Sequence, residues 1–225
     1  MASVWTTLPN LYPWFRDLEA IVREKTLPES SGHDFCHSLR VLNLCLKLAD
    51  NDSDLEVLIA AAILHDIARS DEYMMRKPSS YHIAKGAEIA EALLSEISFP
   101  KSKIEMVKKC ILEHEEEGSD KKESQILQDA DKLDSMGAVG IARCFTYGGK
   151  VDRPIWSPIN TKETWQPGVK NSSSIAHLYA RILGLANKMN TEKGKEMANA
   201  RLLFTMQFIN QFNTEMEGSL SLNFQ

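Results

Sequence analysis

The sequence lacks long apolar runs, an export signal and any surplus of basic charge. Nowhere in its 225 residues is there an uninterrupted apolar stretch of about 18 residues, which a membrane-spanning helix needs. The N-terminal segment has no basic stretch followed by a continuous apolar one. With 26 Lys+Arg against 31 Asp+Glu the net charge is -5, so a broad positive surface for duplex nucleic acid is not expected. We therefore expect a cytoplasmic protein that binds neither a membrane nor duplex nucleic acid.

Cysteine is also scarce, and the four cysteines form no CxxC pair. Cys36, Cys45 and Cys144 lie within apolar stretches, whereas Cys110 does not. This distribution favours reduced thiols in the core of a cytosolic protein over a framework of disulfides.

The alternation of apolar and polar residues that marks β-strands is almost absent, whereas apolar residues recur at spacings of three and four. The pattern predicts an all-α protein of one domain, residues 1–225. Residues 54–68 are apolar nearly all round, which predicts a central helix buried on most sides. The predicted helices span about 11–27, 35–49, 54–68, 81–97, 101–116, 124–133, 137–147, 173–189 and 191–217.

One segment, residues 148–172, is rich in glycine and proline and has no helical period. A loop of this length within a compact domain is typical of a functional lid or of disorder. Trp156 and Trp165 favour an ordered loop, because disordered segments are poor in aromatic residues. We interpret residues 32–147 as the core, 148–172 as a lid-like loop and 173–217 as the C-terminal helices.

An imidazole and a carboxylate stand side by side in the most apolar predicted helix, at His65 and Asp66. Burying such a pair is costly unless it is paired or holds a metal ion. His37 lies on the preceding predicted helix, and Asp131 lies in the acidic run 129–134. Four ligands from three helices would form a metal site within a bundle. Two imidazoles and two carboxylates suit Mn, Fe, Co, Ni or Zn.

These residues match the H...HD...D signature, and the chain resembles the HD-domain metal-dependent phosphohydrolases. The match covers about residues 32–217 and looks like a bacterial and archaeal branch of that family. It includes the segments GHDFCHSLRV at 32–41, AAILHDIA at 61–68, QDADKLD at 128–134, GAVGIAR at 137–143 and MNT at 189–191. The resemblance implies an all-α HD-domain bundle in which His37, His65, Asp66 and Asp131 hold one divalent ion.

Two further histidines, His82 and His114, extend the order to H...HD...H...H...D. In HD proteins with this longer pattern, the resemblance implies that both histidines hold a second ion and that Asp66 bridges the two ions. A direct contact with the phosphate is another interpretation. A histidine at a helix start, or one that opens the run 115–117, is also typical of a capping or surface position.

The resemblance implies hydrolysis of a phosphate ester or anhydride, of a nucleotide in particular, by a phosphatase or pyrophosphohydrolase. A divalent ion lowers the pKa of its bound water and supplies a hydroxide nucleophile. Manganese is the expected ion, with Fe, Co, Ni, Zn or Mg as alternatives, and one or two ions per chain. Asp66 and Lys132 are the predicted catalytic residues. The residues predicted to contact the phosphorylated substrate are His33, Arg40, Arg69, Lys132 and Arg143.

Each of these basic residues could equally be a solvated cation on a helix face. Asp129 and Asp134 are candidates to orient the ligands, and His177 and Arg181 either close over the substrate or pack in the core. Arg69 begins the Arg-Ser dipeptide that stands where the stringent-response hydrolases have an acidic pair. The Gly-Tyr-Pro motif of the HD-GYP phosphodiesterases is absent too, so the substrate of neither group is inherited.

Two other functions fit the same sequence. Mixed-valent di-iron oxygenases of HD fold share the longer histidine pattern, and a sensor of nucleotide or metal keeps the ligands without turnover. The sequence leaves open the substrate, the bond that is cleaved, the ion and the oligomeric state.

Overall fold

The computed structural model describes residues 4–26, 32–78, 80–157 and 173–220, and every regular element among them is a helix. The all-α prediction is therefore confirmed. The helices are α1 Val4–Leu11, α2 Trp14–Thr26, α3 Phe35–Leu48, α4 Leu55–Leu64, α5 Arg69–Met74, α6 Tyr81–Glu96, α7 Ile104–Glu113, α8 Lys122–Asp134, α9 Gly137–Lys150, α10 Ser174–His177, α11 Leu183–Leu185 and α12 Glu192–Leu220. Two 3₁₀ turns, Lys101–Lys103 and Ala186–Lys188, and a π-helical turn, Leu178–Ile182, complete the set.

Several predicted boundaries are wrong. The helix expected over 11–27 begins only at Trp14, as α2, because Pro13 disfavours helical backbone at the residue before it, and α1, which ends at Leu11, was not predicted. The helix expected over 54–68 ends at Leu64. The helix expected over 173–189 is a series of short α, π and 3₁₀ turns.

The chain forms two compact units, Met1–Asp131 and Lys132–Gln225, with the boundary inside α8. That they make one domain stays a prediction. In the first unit α4 lies at the centre, packed against α3 and α7, and its residues from Val57 to Leu64 are all buried. Its start is fixed by Asp54, whose Oδ1 accepts hydrogen bonds from the backbone N–H groups of Glu56 and Val57 at 3.1 and 3.3 Å.

In the second unit α9 packs against α12. Gly137 opens α9 with φ at +71°, a conformation that favours glycine, and its N–H donates to Thr205 Oγ1 on α12 at 3.1 Å. Phe145 stacks against Phe208 and Phe212, with ring centroids 6.0 and 6.5 Å apart. The two helices are therefore joined by a polar contact at one end and an aromatic cluster along their length.

The segment interpreted as a loop starts later than expected, because α9 continues to Lys150. Residues 158–172, with Trp165, lie outside the described residues, and the lid stays a prediction. All four cysteines are free, as expected, but Cys36 is exposed and Cys110 is buried, the reverse of the predicted pattern. Among the described residues no helix combines the length and apolar character needed to cross a membrane.

Candidate metal centre

The start of α3 places two histidines. Gly32 has φ at +94°, a turn that favours glycine, and Asp34 follows in extended backbone as the N-cap. The His37 N–H donates to both the side chain and the backbone of Asp34, to Oδ1 at 3.0 Å and to the carbonyl O at 2.9 Å, as is typical of a capped helix start. This capped turn sets the positions of His33 and His37.

The ends of α4 and α7 place two more histidines in the same way. His65 follows α4 and His114 follows α7. Each Nδ1 donates to a carbonyl three residues earlier, Ala62 O at 2.9 Å and Ile111 O at 2.7 Å. Because a carbonyl only accepts, each Nδ1 carries the proton. In the neutral imidazole Nε2 is then left with a free lone pair, the state that a metal ligand needs.

His37, His65, Asp66 and Asp131 converge, and we call them the first cluster. The Nε2 atoms of His37 and His65 lie 3.1 Å apart. His37 Nε2 is 3.4 Å from Asp66 Oδ2 and 3.4 Å from Asp131 Oδ1, and the same distances for His65 Nε2 are 3.6 and 4.0 Å. The four residues predicted to hold the first ion are therefore gathered in the first unit, with both imidazoles fully buried.

The electrostatics of the first cluster leave its ligands in the metal-binding forms near neutral pH. Burial, the largest effect, lowers the pKa of His65 to about 4. Burial alone would raise the pKa of Asp66, but the neighbouring Arg69 and His65 charges and hydrogen bonds from two histidines hold it well below its usual value. Burial also opposes ionisation of Asp131, whose pKa is nevertheless lowered by His37 and His65. A neutral imidazole between ionised carboxylates is ready to bind a cation.

Asp66, His82 and His114 form a second cluster. Asp66 Oδ1 lies 3.6 Å from His82 Nε2 and 3.9 Å from His114 Nε2, whereas its Oδ2 faces the first cluster. Glu72 Oε2 accepts from His82 Nδ1 at 2.7 Å and from the His82 N–H at 3.0 Å, so His82 is held with Nε2 toward Asp66. The predicted second set of ligands thus lies together, and Asp66 belongs to both clusters.

The second cluster contains two polar atoms with unmet hydrogen-bonding capacity. Asp66 Oδ1 and His82 Nε2 are buried and have no hydrogen-bond partner among the described residues. Buried polar atoms are normally satisfied, and leaving one unsatisfied is costly. A divalent cation would satisfy both atoms at once, so the residues fit the metal that their pattern implies.

Three charged residues surround the second cluster, and two of them were not predicted. Arg69 Nη2 donates to Glu115 Oε1 at 2.7 Å, and its Nη1 lies 3.4 Å from Glu72 Oε1. Burial opposes ionisation of Glu115, but the neighbouring His82 and Arg69 lower its pKa to about 2. Glu115 opens an acidic run that is typical of a solvated face, and Glu72 belongs to α5, which the periodicity did not predict. The only sequence signal was that Glu115 follows a ligand directly.

His33 and Arg40 complete the predicted residues of the first unit. His33 Nδ1 lies 2.9 Å from Asp66 Oδ2, and its side chain is 25% exposed, which places it between the first cluster and solvent. Arg40 is half-buried on α3, one turn after His37.

The other predicted residues belong to the second unit or flank its boundary. Asp129 is fully buried on α8, and Lys132 is half-buried on the same helix. Arg143 Nη1 donates to Asp134 Oδ2 at 2.8 Å, so two residues predicted separately for substrate binding and ligand orientation form an ion pair. The structure places His177 at the end of α10. The Arg181 side chain is outside the described residues.

Comparison with known sequences gives a family match over the same region. The HD domain model matches residues 34–136, a range that contains both clusters. The uncharacterized protein YpgQ of Bacillus subtilis is 28% identical over 198 residues, or 84% of this chain and 87% of YpgQ.

Solved structures share the fold. The crystal structure of YpgQ in complex with ADP has a TM-score of 0.70 at 27% identity and covers 91% of this chain and 98% of that one. An HD-superfamily hydrolase from Bacillus thuringiensis has a TM-score of 0.68 at 29% identity, with coverage of 90% and 96%. A predicted HD superfamily hydrolase from an uncultured Thermotogales bacterium has a TM-score of 0.63 at 30% identity, with coverage of 89% and 92%.

Proposed function

Because the chain belongs to the HD superfamily of metal-dependent hydrolases, we propose that it cleaves a phosphate ester or anhydride of a nucleotide. The observation that carries the proposal is the first cluster. Its two imidazole nitrogens lie 3.1 Å apart, and each is within 4.0 Å of an Asp66 and an Asp131 oxygen. Two nitrogen and two oxygen donors suit borderline to hard divalent ions, of which we propose manganese, with Fe, Co, Ni, Zn and Mg as the ions to compare.

His37, His65, Asp66 and Asp131 would hold the divalent ion, which would lower the pKa of a water molecule and so supply a nucleophile near neutral pH. The chain itself keeps the ligands in place. His65 is fixed through Nδ1 to Ala62 O. Asp66 stays ionised because Arg69 and the histidines favour its charged form. Such preorganised charge costs no rearrangement when the reaction occurs.

Basic residues of the chain are proposed to neutralise the phosphate. Phosphoryl transfer spreads negative charge over the phosphate oxygens, and positioned cations stabilise it. We assign this role to Lys132 as a catalytic residue, and to Arg40 and Arg143 as substrate contacts. His33 is proposed to bind the substrate as well, because it is partly exposed and 2.9 Å from Asp66 Oδ2.

The proposal that the substrate is a nucleotide rests on a related protein. YpgQ, at 27% identity, was crystallised with ADP, which supports a nucleoside phosphate as the ligand of the present chain too. Since an HD-fold relative with a similar length and topology binds a nucleoside diphosphate, di- and triphosphates are the first substrates to try.

His82 and His114 are proposed to hold a second ion or to contact the phosphate. The support is their position: both Nε2 atoms lie within 3.9 Å of Asp66 Oδ1, on the side of that carboxylate away from the first cluster. If a second ion binds there, Asp66 would belong to the ligand sets of both.

The test is a release assay on anaerobically purified protein. Phosphate and pyrophosphate release from nucleoside mono-, di- and triphosphates is measured with Mn, Co, Ni, Zn and Mg in turn. We expect release from at least one nucleotide, and its loss in Asp66→Asn. The matched control is Asp52→Asn, which removes a carboxylate whose side chain is 92% exposed and is expected to behave as wild type.

Other outcomes assign other functions. Two irons per chain with oxygen uptake and no phosphate release would contradict the proposal in favour of an HD-fold oxygenase. Nucleotide-dependent stabilisation with no product under any ion would contradict it in favour of a sensor. Full release in Asp66→Asn would contradict the assignment of the site.

A further inference from the structure

The second cluster already has a cation beside it. The guanidinium of Arg69 contacts three carboxylates. Its Nε is 3.3 Å from Asp66 Oδ1, its Nη1 is 3.4 Å from Glu72 Oε1, and its Nη2 is 2.7 Å from Glu115 Oε1. The Arg69 side chain is 19% exposed and that of Glu115 is 37% exposed, so the guanidinium is largely removed from solvent while one of its carboxylate partners stays partly in contact with it.

The ligand atoms of the second cluster and the contacts of Arg69 overlap. Asp66 Oδ1, which faces His82 and His114, is also the oxygen that Arg69 Nε approaches. Arg69 Nη1 reaches the same histidine from its other side, 3.0 Å from His82 Nδ1. A second cation would therefore share a carboxylate oxygen with a guanidinium that keeps its charge at every physiological pH.

We propose that Arg69 keeps the second position weak, so that the two positions fill in order, the first tightly and the second only at higher ion concentration. This inference rests on the proposed function, from which the two cation positions are taken. Positive charges a few ångströms apart and shielded from water repel each other strongly. Arg69 meets the first cluster at Asp66 Oδ1, whereas the Asp66 oxygen that faces His37 and His65 is Oδ2.

The carboxylates that contact Arg69 have the opposite effect, because they should strengthen binding of a cation at the second position. Glu115 Oε1 lies 3.5 Å from His82 Nε2, close enough to attract an ion at the second position or to serve as an added ligand. It also neutralises Arg69. Loss of Arg69 and loss of Glu115 should therefore change the affinity of the second position with opposite signs, a result that general damage to the site does not produce.

The experiment is a Mn²⁺ titration of metal-free, nucleotide-free protein. Binding is measured by calorimetry and by the electron paramagnetic resonance signal of free Mn²⁺. The wild type is expected to bind one ion tightly and a second more weakly. Arg69→Gln should bind the second ion about tenfold more tightly or better. Glu115→Gln should bind it about tenfold more weakly. Arg69→Lys, which keeps the charge, should stay closer to wild type than Arg69→Gln.

Arg16→Gln is the matched control, because Arg16 is an exposed arginine on α2 and its loss changes the net charge equally. Circular dichroism and binding of the first ion verify the fold of each variant. Unchanged or weaker binding of the second ion in folded Arg69→Gln would overturn the inference, and so would unchanged binding in Glu115→Gln. Neither of these two results would contradict the proposed function. Absence of any bound ion in the wild type would overturn both.

Discussion

Asp66 connects the two halves of the site through its two oxygens. Its Oδ2 faces His37 and His65 at 3.4 and 3.6 Å, and its Oδ1 faces His82 at 3.6 Å. A single carboxylate with its oxygens directed at different sets of imidazoles is placed to bind one ion on each side. The same residue is bonded by His33 and approached by Arg69, so its orientation is fixed before any ion binds.

His65 should make the metal-free protein sensitive to acid in a defined pH window. Its pKa is lowered from 6.5 to about 4 by burial, so between these values the unfolded chain binds a proton that the folded chain does not. Stability is therefore complete above about pH 6.5 and falls as the pH approaches 4. A shift of this size corresponds to about 3 kcal/mol. Urea unfolding of chelator-treated protein between pH 7 and pH 4 measures this loss of unfolding free energy.

The control is His65→Gln, which has no titrating group at this position. Its unfolding free energy should fall less steeply over the same window. His82 does not produce the same effect. Its pKa is raised in the folded chain, so its contribution to stability is already complete below the pKa that it has in the unfolded chain. Equal slopes in wild type and His65→Gln would contradict the assignment of a neutral, buried His65.

At the scale of the elements, helix ends rather than helix middles carry the first cluster. His37 lies in the first turn of α3, and His65 and Asp66 follow the last turn of α4. Backbone groups at helix ends lack partners within the helix, so side chains that satisfy them acquire fixed positions. The capping contacts that complete each helix also orient the ligands.

Asp34 should therefore affect both stability and ion binding. Asp34→Ala removes the side-chain acceptor for the His37 N–H and should cost about 1 kcal/mol of unfolding free energy. The first turn of α3 then frays, and the affinity for the first ion should fall as well. Asp34→Ser, which restores a capping oxygen, should recover most of both losses. A stable Asp34→Ala with normal ion binding in calorimetry would contradict the role of the cap.

Two glycines of α9 should respond to alanine in opposite ways. A Cβ on Gly140 would overlap the backbone carbonyl of Ser135, and we expect Gly140→Ala to destabilise the protein by about 1–3 kcal/mol. Gly149 is on the same helix and has no atom within 4 Å of a built Cβ. Gly149→Ala should gain up to about 1 kcal/mol from helix propensity. Thermal unfolding compares them, and a destabilised Gly149→Ala with a neutral Gly140→Ala would contradict this packing.

The helices themselves were more predictable than their ends. Continuous apolar sequence correctly predicts the buried α4, but the same periodicity runs on through Ala68 and conceals the break after Leu64. At the break, His65 Nδ1 donates a hydrogen bond to the Ala62 carbonyl of its own helix. A hydropathy pattern carries no information on such a side-chain contact.

The residues of the site likewise divide into those that the sequence predicts and those that it does not. The order of histidines and aspartates predicts the six residues of the two clusters, because metal ligands are a chemically distinctive set. Glu72 and Glu115 could not be predicted from pattern, since a carboxylate is normally solvated and turns inward only where Arg69 and His82 meet it. The pairing of Arg143 with Asp134 likewise depends on three-dimensional proximity.

At the scale of the whole molecule, the first compact unit contains both clusters, from His37 to Asp131, its last residue. The family match at residues 34–136 covers the same part of the chain. The second unit supplies Lys132 and Arg143, which are proposed to meet the substrate.

The central claim is that His37, His65, Asp66 and Asp131 hold the divalent ion of a hydrolase, and anomalous diffraction from crystals grown with Mn²⁺ tests it most directly. The account predicts an anomalous peak at ligand distance from the His37 and His65 Nε2 atoms and from an oxygen of each aspartate. At low Mn²⁺ concentration this peak should be stronger than any peak beside His82 and His114. Manganese bound elsewhere, with no peak among these four side chains, would contradict the account.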